Sequence, residues 1–358
     1  MFRTRIRRIS LGDNVSSRSA VNMSNNDSGF PKKNVGLALG SGSARGWSHI
    51  GVLRALAEAG IEIRYVAGTS IGSLVGAAYA LNKMDVLEDF ARQLDWKQIV
   101  SFLDVTFPRS GLIDGKKISD FFRSHVREMD IEELPLRYCA VATDLATGRE
   151  VVLNKGDLIK AIRASISVPG IFTPVRKNGS FLVDGGLVNP VPVSAVRKMG
   201  ADYVIAVDLN HDIIDKRSAA GIAPVDPSLE NVVDQLPPQK WKILQDLTDR
   251  FNEFNSPALS QVRQWLHNDP VPNIFDVLTT AINIMEVQIT ATRLETDPPD
   301  LLIQPKLGDI RFLEFHRADE AIAEGYREAM AQIKERWKCA AKRDLPGGFL
   351  PGMTKDGN

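Results

Sequence analysis

The chain has 358 residues, 44% of them hydrophobic and 25% charged, which is enough to bury one sizeable core or two modest ones. Lysine plus arginine equals aspartate plus glutamate at 44 each, so no overall charge directs the protein to nucleic acid. Cys139 and Cys339 lie far apart and in no metal-ligand spacing, so we expect no metal and no disulfide framework, as in a cytoplasmic protein.

The first 33 residues differ in composition from the rest of the chain. Four arginines between positions 3 and 8 precede a stretch rich in serine and asparagine, and no apolar segment follows the arginines. A secretory signal is therefore not expected. We predict a disordered basic tail over residues 1–33, with an organelle transit peptide as the alternative interpretation.

Two strand-to-helix units open the predicted core. Residues 35–39 form a short apolar run that leads into a glycine-rich loop at 40–46, and residues 63–67 lead into a turn at 68–72. After each loop the apolar residues recur at helical spacing, and Gly60 is placed to end the first helix. Strand, helix, strand and helix in this order predict a parallel sheet with helices on its faces.

Residues 65–82 carry no charged side chain over eighteen positions, which is close to the length of a membrane-spanning helix. The stretch is interrupted by glycines and serines between 68 and 76, and it ends at Asn82. A buried strand, turn and helix explains this composition better, so we predict that the stretch does not span a membrane.

Further apolar runs complete the predicted sheet. They indicate strands at 138–143, 150–153, 181–183, 203–209 and 301–303. A hairpin is expected to turn at Thr147-Gly148, and a closing helix is predicted over 318–337.

Composition divides the chain into segments. We predict a tail at 1–33, an α/β core at 34–210, a mainly helical extension or cap at 211–300, the closing strand and helix of the core at 301–340, and a flexible tail at 341–358. The predicted fold is α/β, a three-layer α/β/α sandwich with a mostly parallel central sheet and a mainly helical C-terminal extension.

A serine stands in the turn after the second predicted strand. Gly68-Thr69-Ser70-Ile71-Gly72 matches G-x-S-x-G at a strand-to-helix junction, where Gly68 and Gly72 let neighbouring backbone pass close to a nucleophile. The N-terminus of the next helix adds a field that favours developing negative charge. The hypothesis is a nucleophilic Ser70, and the alternative is a tight turn that only packs a helix on the sheet.

The loop at 40–46 can supply backbone amides to an oxyanion, as acyl transfer requires. Its glycines are spaced two and then four residues apart, unlike those of a dinucleotide-binding loop. Arg45-Gly46-Trp47 stands where a P-loop has Gly-Lys-Ser or Gly-Lys-Thr. Phosphate binding by this loop, and with it a nucleotide-binding function, stays open as an alternative.

A nucleophilic serine needs a base, and two candidates follow predicted strands. His211 would complete the Ser–Asp–His order of an α/β-hydrolase. We favour Asp184, because Gly185 and Gly186 let another group approach its carboxylate closely. A carboxylate is a weak base, so Asp184 must be tightly hydrogen-bonded to the serine and partly desolvated. Asp-Gly-Gly is also a common turn, and that alternative stays open.

Together these loops resemble a known family. The loop at 40–46, the turn at 68–72 and Asp184-Gly185-Gly186 are similar, in this order, to the oxyanion loop, the nucleophile elbow and the Asp-Gly-Gly motif of patatin-like phospholipases. Residues 163–172 resemble the Ala-Ser…Pro segment of the bacterial and neuropathy target esterase branch. The resemblance covers residues 34–210, roughly half of the chain.

The resemblance implies a lipid acyl hydrolase with a Ser–Asp dyad, no histidine and no cofactor, acting through an acyl-enzyme. By motif match Ser70 is the nucleophile and Asp184 the base, while the oxyanion hole is formed by amides of Gly42, Ser43, Ala44 and Arg45. The family's loop has three successive glycines where Ser41-Gly42-Ser43 stands here, so the identity of the donors depends on the backbone at 41 and 43. The Arg45 side chain is expected to lock the loop.

The expected partner is a lipid or another acyl ester. Apolar residues at 99–113 raise the hypothesis of an acyl channel, a lid or a peripheral membrane contact, and an ordinary packed connection is the alternative. Two other functions stay open, namely a non-catalytic lipid-sensing or regulatory module on the same scaffold and an α/β-hydrolase that uses His211.

Overall fold

A computed structural model describes residues 34–95, 123, 129–214 and 274–343. The predicted tail at 1–33, the apolar stretch at 99–113, residues 215–273 of the predicted extension and residues 344–358 of the predicted C-terminal tail lie outside the described residues.

The described residues form eight strands and seven α-helices. The strands are β1 Val35–Leu39, β2 Ile63–Thr69, β3 Arg137–Asp144, β4 Glu150–Leu153, β5 Val175–Lys177, β6 Ser180–Asp184, β7 Tyr203–Val207 and β8 Leu301–Ile303. The helices are α1 Ser48–Glu58, α2 Ile71–Ala80, α3 Met84–Gln93, α4 Leu158–Ser165, α5 Val193–Lys198, α6 Ile274–Thr296 and α7 Ala318–Arg343. Short 3₁₀ helices occupy Ser43–Trp47, Ile131–Glu133, Gly185–Leu187 and Phe315–Arg317.

All eight strands belong to one mixed sheet. Its order is β5-β6-β3-β2-β1-β7-β8, and β4 pairs with β3 off this path. Neighbours from β3 to β8 run parallel, whereas β4, β5 and β6 are joined by antiparallel pairing. The predicted, mostly parallel sheet is confirmed.

Helices cover both faces of the sheet, and side-chain size differs between the faces. Leu37 and Leu39 of β1 point into the larger core, which α1, α2, α3, α4 and α7 also line. Ala38, between them, points into the second core with Cys139, where α5 packs. Small side chains on this second face let the short helix lie close to the sheet. The predicted three-layer sandwich is confirmed.

The uncharged stretch at 65–82 falls on β2, a turn and α2, as predicted. None of the helices in the described part of the chain is long and apolar enough to cross a membrane. The predicted hairpin is also present, since Thr143 pairs with Glu150. The sequence did not predict α4, although the Asp157 side chain accepts a hydrogen bond from the Lys160 amide at 2.9 Å and caps its first turn.

The register of the parallel strands gathers three loops at one edge of the sheet. Leu39, the last residue of β1, is opposite Gly68 of β2 on one side and Val207 of β7 on the other. The loops that follow these strands therefore meet, as expected where parallel strands end together. The antiparallel β6 brings Asp184 beside Ala142 of β3 at the same edge.

Candidate active site

Ser70 occupies the sharp turn between β2 and α2. Its backbone has φ 54° and ψ −125°, a conformation that residues with a side chain rarely adopt. Hydrogen bonds hold it on both sides, because the Ser70 amide donates to Ser165 Oγ at 2.9 Å and the Ser70 carbonyl accepts from the Ser73 amide at 2.9 Å. The turn lifts the Ser70 hydroxyl above the sheet edge.

Asp184 accepts a direct hydrogen bond from the Ser70 hydroxyl. Ser70 Oγ donates to Asp184 Oδ2 at 2.6 Å, and the Gly186 amide donates to Asp184 Oδ1 at 2.7 Å. The backbone of Asp184 is fixed as well, because its amide donates to the Ser167 carbonyl at 2.9 Å. The structure thus brings together two residues that are 114 positions apart in the chain.

Asp184 is buried, with 3% of its surface exposed. Burial raises the pKa of Asp184 to about 7, although the hydrogen bonds from Ser70 and Gly186 act in the opposite direction. Burial thus makes this carboxylate a stronger base than an exposed aspartate, while leaving it ionised in part at neutral pH. Asp184 is thus hydrogen-bonded to the serine and desolvated, as a carboxylate must be to act as a base for a hydroxyl.

The four glycines that flank Ser70 and Asp184 lie where other atoms of the chain come too close for a side chain. At Gly68 a Cβ would lie 2.3 Å from the Gly72 carbonyl oxygen, and at Gly72 it would lie 2.2 Å from the Leu39 carbonyl oxygen. At Gly185 it would lie 2.3 Å from the Val141 carbonyl oxygen, and at Gly186 it would lie 2.0 Å from Glu286 Oε1. These distances are far inside van der Waals contact, so a side chain at any of them requires the surroundings to move.

The glycine-rich loop approaches Ser70 with two of its four predicted donors. Gly42 and Ser43 line the cleft together with Ser70 and Asp184. The Ala44 amide instead donates to the Phe312 carbonyl at 3.2 Å, and the Arg45 amide donates to the Gly42 carbonyl at 3.2 Å. The structure therefore uses the Ala44 and Arg45 amides to shape the loop.

Ser43 adopts the left-handed backbone conformation, with φ 50°. This conformation favours glycine, which the family's loop has in this region. Here the Ser43 hydroxyl donates to the Phe312 carbonyl at 2.6 Å and offsets part of the cost. The departure from three glycines is thus accommodated by a hydrogen bond of the substituting side chain.

The Arg45 guanidinium is buried beneath the loop. It donates to the Ile310 carbonyl, to Asn210 Oδ1 and to Asn283 Oδ1, each at 3.1 Å. These contacts join the loop to the segments after β7 and β8 and to α6. They are the contacts expected of an arginine that holds the loop in place.

A cleft opens at Ser70. Its polar lining is Gly42, Ser43, Ser70, Asp184 and Glu286. Its apolar lining is Val168, Pro169, Leu187, Ile282 and Phe312. A serine hydroxyl bonded to a carboxylate, loop backbone beside it and apolar walls are compatible with acyl transfer on an apolar ester.

The chain is similar to proteins of one known family. A family model described as patatin-like phospholipase matches residues 37–197. An NTE family protein of Mycobacterium tuberculosis is 33% identical over 328 residues, which cover 83% of this chain and 90% of that protein. The chain belongs to the patatin-like phospholipase family.

Other relatives are much longer than this patatin-like chain. Lysophospholipase NTE1 of Meyerozyma guilliermondii is 31% identical over 329 residues, which cover 90% of this chain and 21% of that protein. Among solved structures, VipD from Legionella pneumophila has a TM-score of 0.43 and 14% identity, covering 86% of this chain and 67% of its own. Family membership makes the chain a lipid ester hydrolase.

The segment at 163–172 supports the site in a way that the sequence did not specify. Ser165 Oγ accepts from the Ser70 amide and donates to the Val141 carbonyl at 2.6 Å, so it joins the turn to β3. Arg163 Nη1 donates to Ser167 Oγ at 2.7 Å, next to the carbonyl that holds the Asp184 amide. The resemblance marked this segment, but only the folded chain shows what its serines contact.

The histidines in the described part of the chain do not line the cleft at Ser70 and Asp184. His49 is fully buried, its Nε2 contacts the Gly40 carbonyl at 2.8 Å, and burial lowers its pKa to about 4. A neutral His49 thus donates to the loop backbone. His211 is not part of the cleft lining in the described residues.

We expect His211→Ala to keep kcat/KM for an acyl ester within about threefold of wild type, because Ser70 already donates to Asp184 without an intervening imidazole. The measurement is steady-state hydrolysis beside a thermal melt. A loss of a hundredfold or more in a protein that melts normally would instead support the Ser–Asp–His alternative.

Proposed function

We propose that this protein hydrolyses acyl esters of lipids with a Ser70–Asp184 dyad, through an acyl-enzyme on Ser70. The observation that supports this most strongly is the 2.6 Å hydrogen bond from Ser70 Oγ to Asp184 Oδ2 in a buried cleft. A serine hydroxyl bonded directly to a carboxylate of raised basicity has the nucleophile and base needed for covalent catalysis.

In the first step, Ser70 Oγ attacks the ester carbonyl carbon while Asp184 Oδ2 takes the hydroxyl proton. The carbonyl oxygen becomes negatively charged, and we place it against the amides of Gly42 and Ser43, which line the cleft. The carbon–oxygen bond to the leaving alcohol then breaks, and the alcohol oxygen takes the proton from Asp184. The product of this step is an ester of Ser70.

In the second step, water attacks the carbonyl carbon of the Ser70 ester and gives a proton to Asp184. The bond to Ser70 Oγ breaks, and Oγ recovers its proton from Asp184. The fatty acid leaves and the dyad is restored. One carboxylate thus serves as base and then as acid in each half of the reaction.

The cleft walls and the names of the relatives support a lipid ester as the substrate. Val168, Ile282 and Phe312 give the cleft apolar walls, which suit an acyl chain better than a charged group. NTE1 of Meyerozyma guilliermondii is named a lysophospholipase. We therefore place lysophospholipids first among the lipid esters to be tested.

A substrate series tests the proposal. Hydrolysis is measured for acyl esters of increasing chain length and for a lysophospholipid, and Ser70 is probed with a fluorophosphonate that labels activated serines. We expect turnover to increase with acyl length, and labelling of wild type but not of Ser70→Ala. If folded wild type neither labels nor hydrolyses any ester, a non-catalytic lipid-binding role replaces this proposal.

The raised pKa of Asp184 predicts the acid side of the pH profile. Only the ionised carboxylate can accept the Ser70 proton, so activity rises with pH as Asp184 ionises at about 7. We expect kcat/KM to fall about tenfold per pH unit well below this value. Fluorophosphonate labelling should follow the same curve. A profile that stays flat down to a pH of about 5 would contradict Asp184 as the base.

A further inference from the structure

The cleft contains a second buried carboxyl group that the dyad does not use. Glu286 lies on α6, is 6% exposed and lines the cleft beside Ser70 and Asp184. Its Oε1 lies so close to Gly186 that a Cβ there would be 2.0 Å away. Gly186 donates its amide to Asp184, so the carboxyl groups of Glu286 and Asp184 both lie beside Gly186.

Hydrogen bonds join Glu286 to the glycine-rich loop. Asn210 Nδ2 donates to Glu286 Oε2 at 2.9 Å, and Asn210 Oδ1 accepts from Arg45 Nη2 at 3.1 Å. The Ser41 side chain also hydrogen-bonds Glu286. Oε2 is therefore anchored by Asn210, while Oε1 faces the Gly186 side of the cleft.

The buried charges of this cluster favour a proton on one carboxyl group. Around Glu286 the described ionisable groups that act on it are Asp184 and the guanidinium of Arg45. Two carboxylates and one guanidinium would leave a net negative charge out of water, which is costly. One proton held between the two carboxyl groups makes the cluster neutral.

The two carboxyl groups divide this proton unequally. Burial first, and the nearby charge of Asp184 second, raise the pKa of Glu286 to about 8, against the hydrogen bonds from Ser41 and Asn210 and the charge of Arg45. Burial raises the pKa of Asp184 as well, but its carboxylate accepts hydrogen bonds from the Ser70 hydroxyl and the Gly186 amide, and both donors favour the ionised form. The shared proton is therefore assigned to Glu286.

We propose that Glu286 is a third catalytic residue of this site, a protonated carboxylic acid that donates a hydrogen bond to an ester oxygen of the bound substrate. The inference rests on the proposed hydrolysis at Ser70 and adds a donor to the two loop amides. We assign the donor to Oε1, which lies beside Gly186, since Oε2 accepts from Asn210. A neutral donor in a cleft with apolar walls stabilises negative charge as it develops on the ester.

Ionisation of Glu286 removes this donor and adds a negative charge beside the reacting ester. Both changes oppose the negatively charged intermediate, so the rate falls as pH rises through about 8. Together with the ionisation of Asp184 this gives a bell-shaped dependence of kcat/KM on pH, with its alkaline side set by Glu286.

The test compares pH profiles of kcat/KM for one uncharged acyl ester. Glu286→Gln keeps the size, the acceptor for Asn210 and an N–H donor, but it cannot ionise. We expect the alkaline fall to be absent from the profile of this variant and the acid side of the profile to be unchanged. Glu286→Leu removes the donor, and we expect at least about a tenfold loss at every pH.

Glu88→Gln is the matched control. Glu88 is also 6% exposed, but it lies on α3 in ion pairs with Arg54 and Arg92 and does not line the cleft. This variant should keep the alkaline fall of wild type. Melting temperatures show whether each variant is folded, and Glu286→Gln carries the test if Glu286→Leu does not fold.

Two results overturn the inference. One is an alkaline fall in Glu286→Gln equal to that of wild type, and the other is full activity in folded Glu286→Leu. Ser70→Ala in the same assay separates this failure from a failure of the dyad. If Ser70→Ala is inactive while Glu286→Gln keeps the alkaline fall, the dyad stands and the role of Glu286 is wrong.

Discussion

Ser70→Ala and Asp184→Asn should each lower kcat/KM for an acyl ester by at least about a hundredfold, equivalent to about 2.7 kcal/mol of transition-state stabilisation. The first substitution removes the atom that forms the acyl-enzyme. The second keeps the shape of the side chain at the 2.6 Å contact but leaves an amide that cannot accept the Ser70 proton.

Combining the two substitutions should cause no further loss of activity. The proposed dyad acts as one unit, so the double variant is expected to be no less active than the worse single variant. Steady-state kinetics at equal concentrations of folded protein measures this. Multiplicative losses would show that the two residues act independently and would contradict a dyad.

Asp144→Asn is the control for the removal of a carboxylate. Asp144 ends β3 at the same edge of the sheet, but its Oδ1 accepts from the amides of Ala146 and Thr147 in the exposed hairpin. It does not line the cleft. We expect the activity of this variant to stay within about twofold of wild type. A larger loss of activity would show a general effect of removing an acidic residue from this edge.

The order of elements in the core was predictable because its signals are local. The apolar runs at β1, β4 and β8 are bounded by polar or turn residues, and their predicted limits coincide with the strands. β5 was missed because a three-residue strand such as Val175–Lys177 has no period to detect. Its pairing with β6 depends on a turn and on contacts that only the folded sheet supplies.

The sequence suggested the dyad but not the residues that tune it. Ser70 and Asp184 stand in glycine-rich motifs that can be recognised, whereas Glu286 and Asn283 stand in a helix without a motif. Their roles arise from the packing of α6 against the loop after β7, where Asn210 joins Glu286 to Arg45. Such long-range contacts between polar side chains leave no pattern in the order of residues.

Gly72→Ala should destabilise the protein and impair hydrolysis together. A Cβ at Gly72 would lie 2.2 Å from the Leu39 carbonyl and 2.7 Å from the Gly40 carbonyl, and backbone atoms cannot turn aside as a side chain can. α2 must therefore shift away from β1 and the glycine-rich loop. We expect a loss of about 1–3 kcal/mol of unfolding free energy, measured by denaturant titration.

The same shift should lower activity at least about tenfold, since Ser70 precedes α2 and Gly42 follows Gly40, so the nucleophile and the proposed oxyanion donors move apart. Gly76→Ala tests this interpretation with the same substitution one turn later. There the nearest atoms are side-chain atoms, Val66 Cγ1 at 2.9 Å and Tyr138 Cε2 at 3.4 Å, and alanine favours the helix by about 1 kcal/mol. Gly76→Ala is therefore expected to change the unfolding free energy and the activity little. Equal losses in both variants would mean that α2 tolerates no added methyl group and that the contact at Gly72 has no special role.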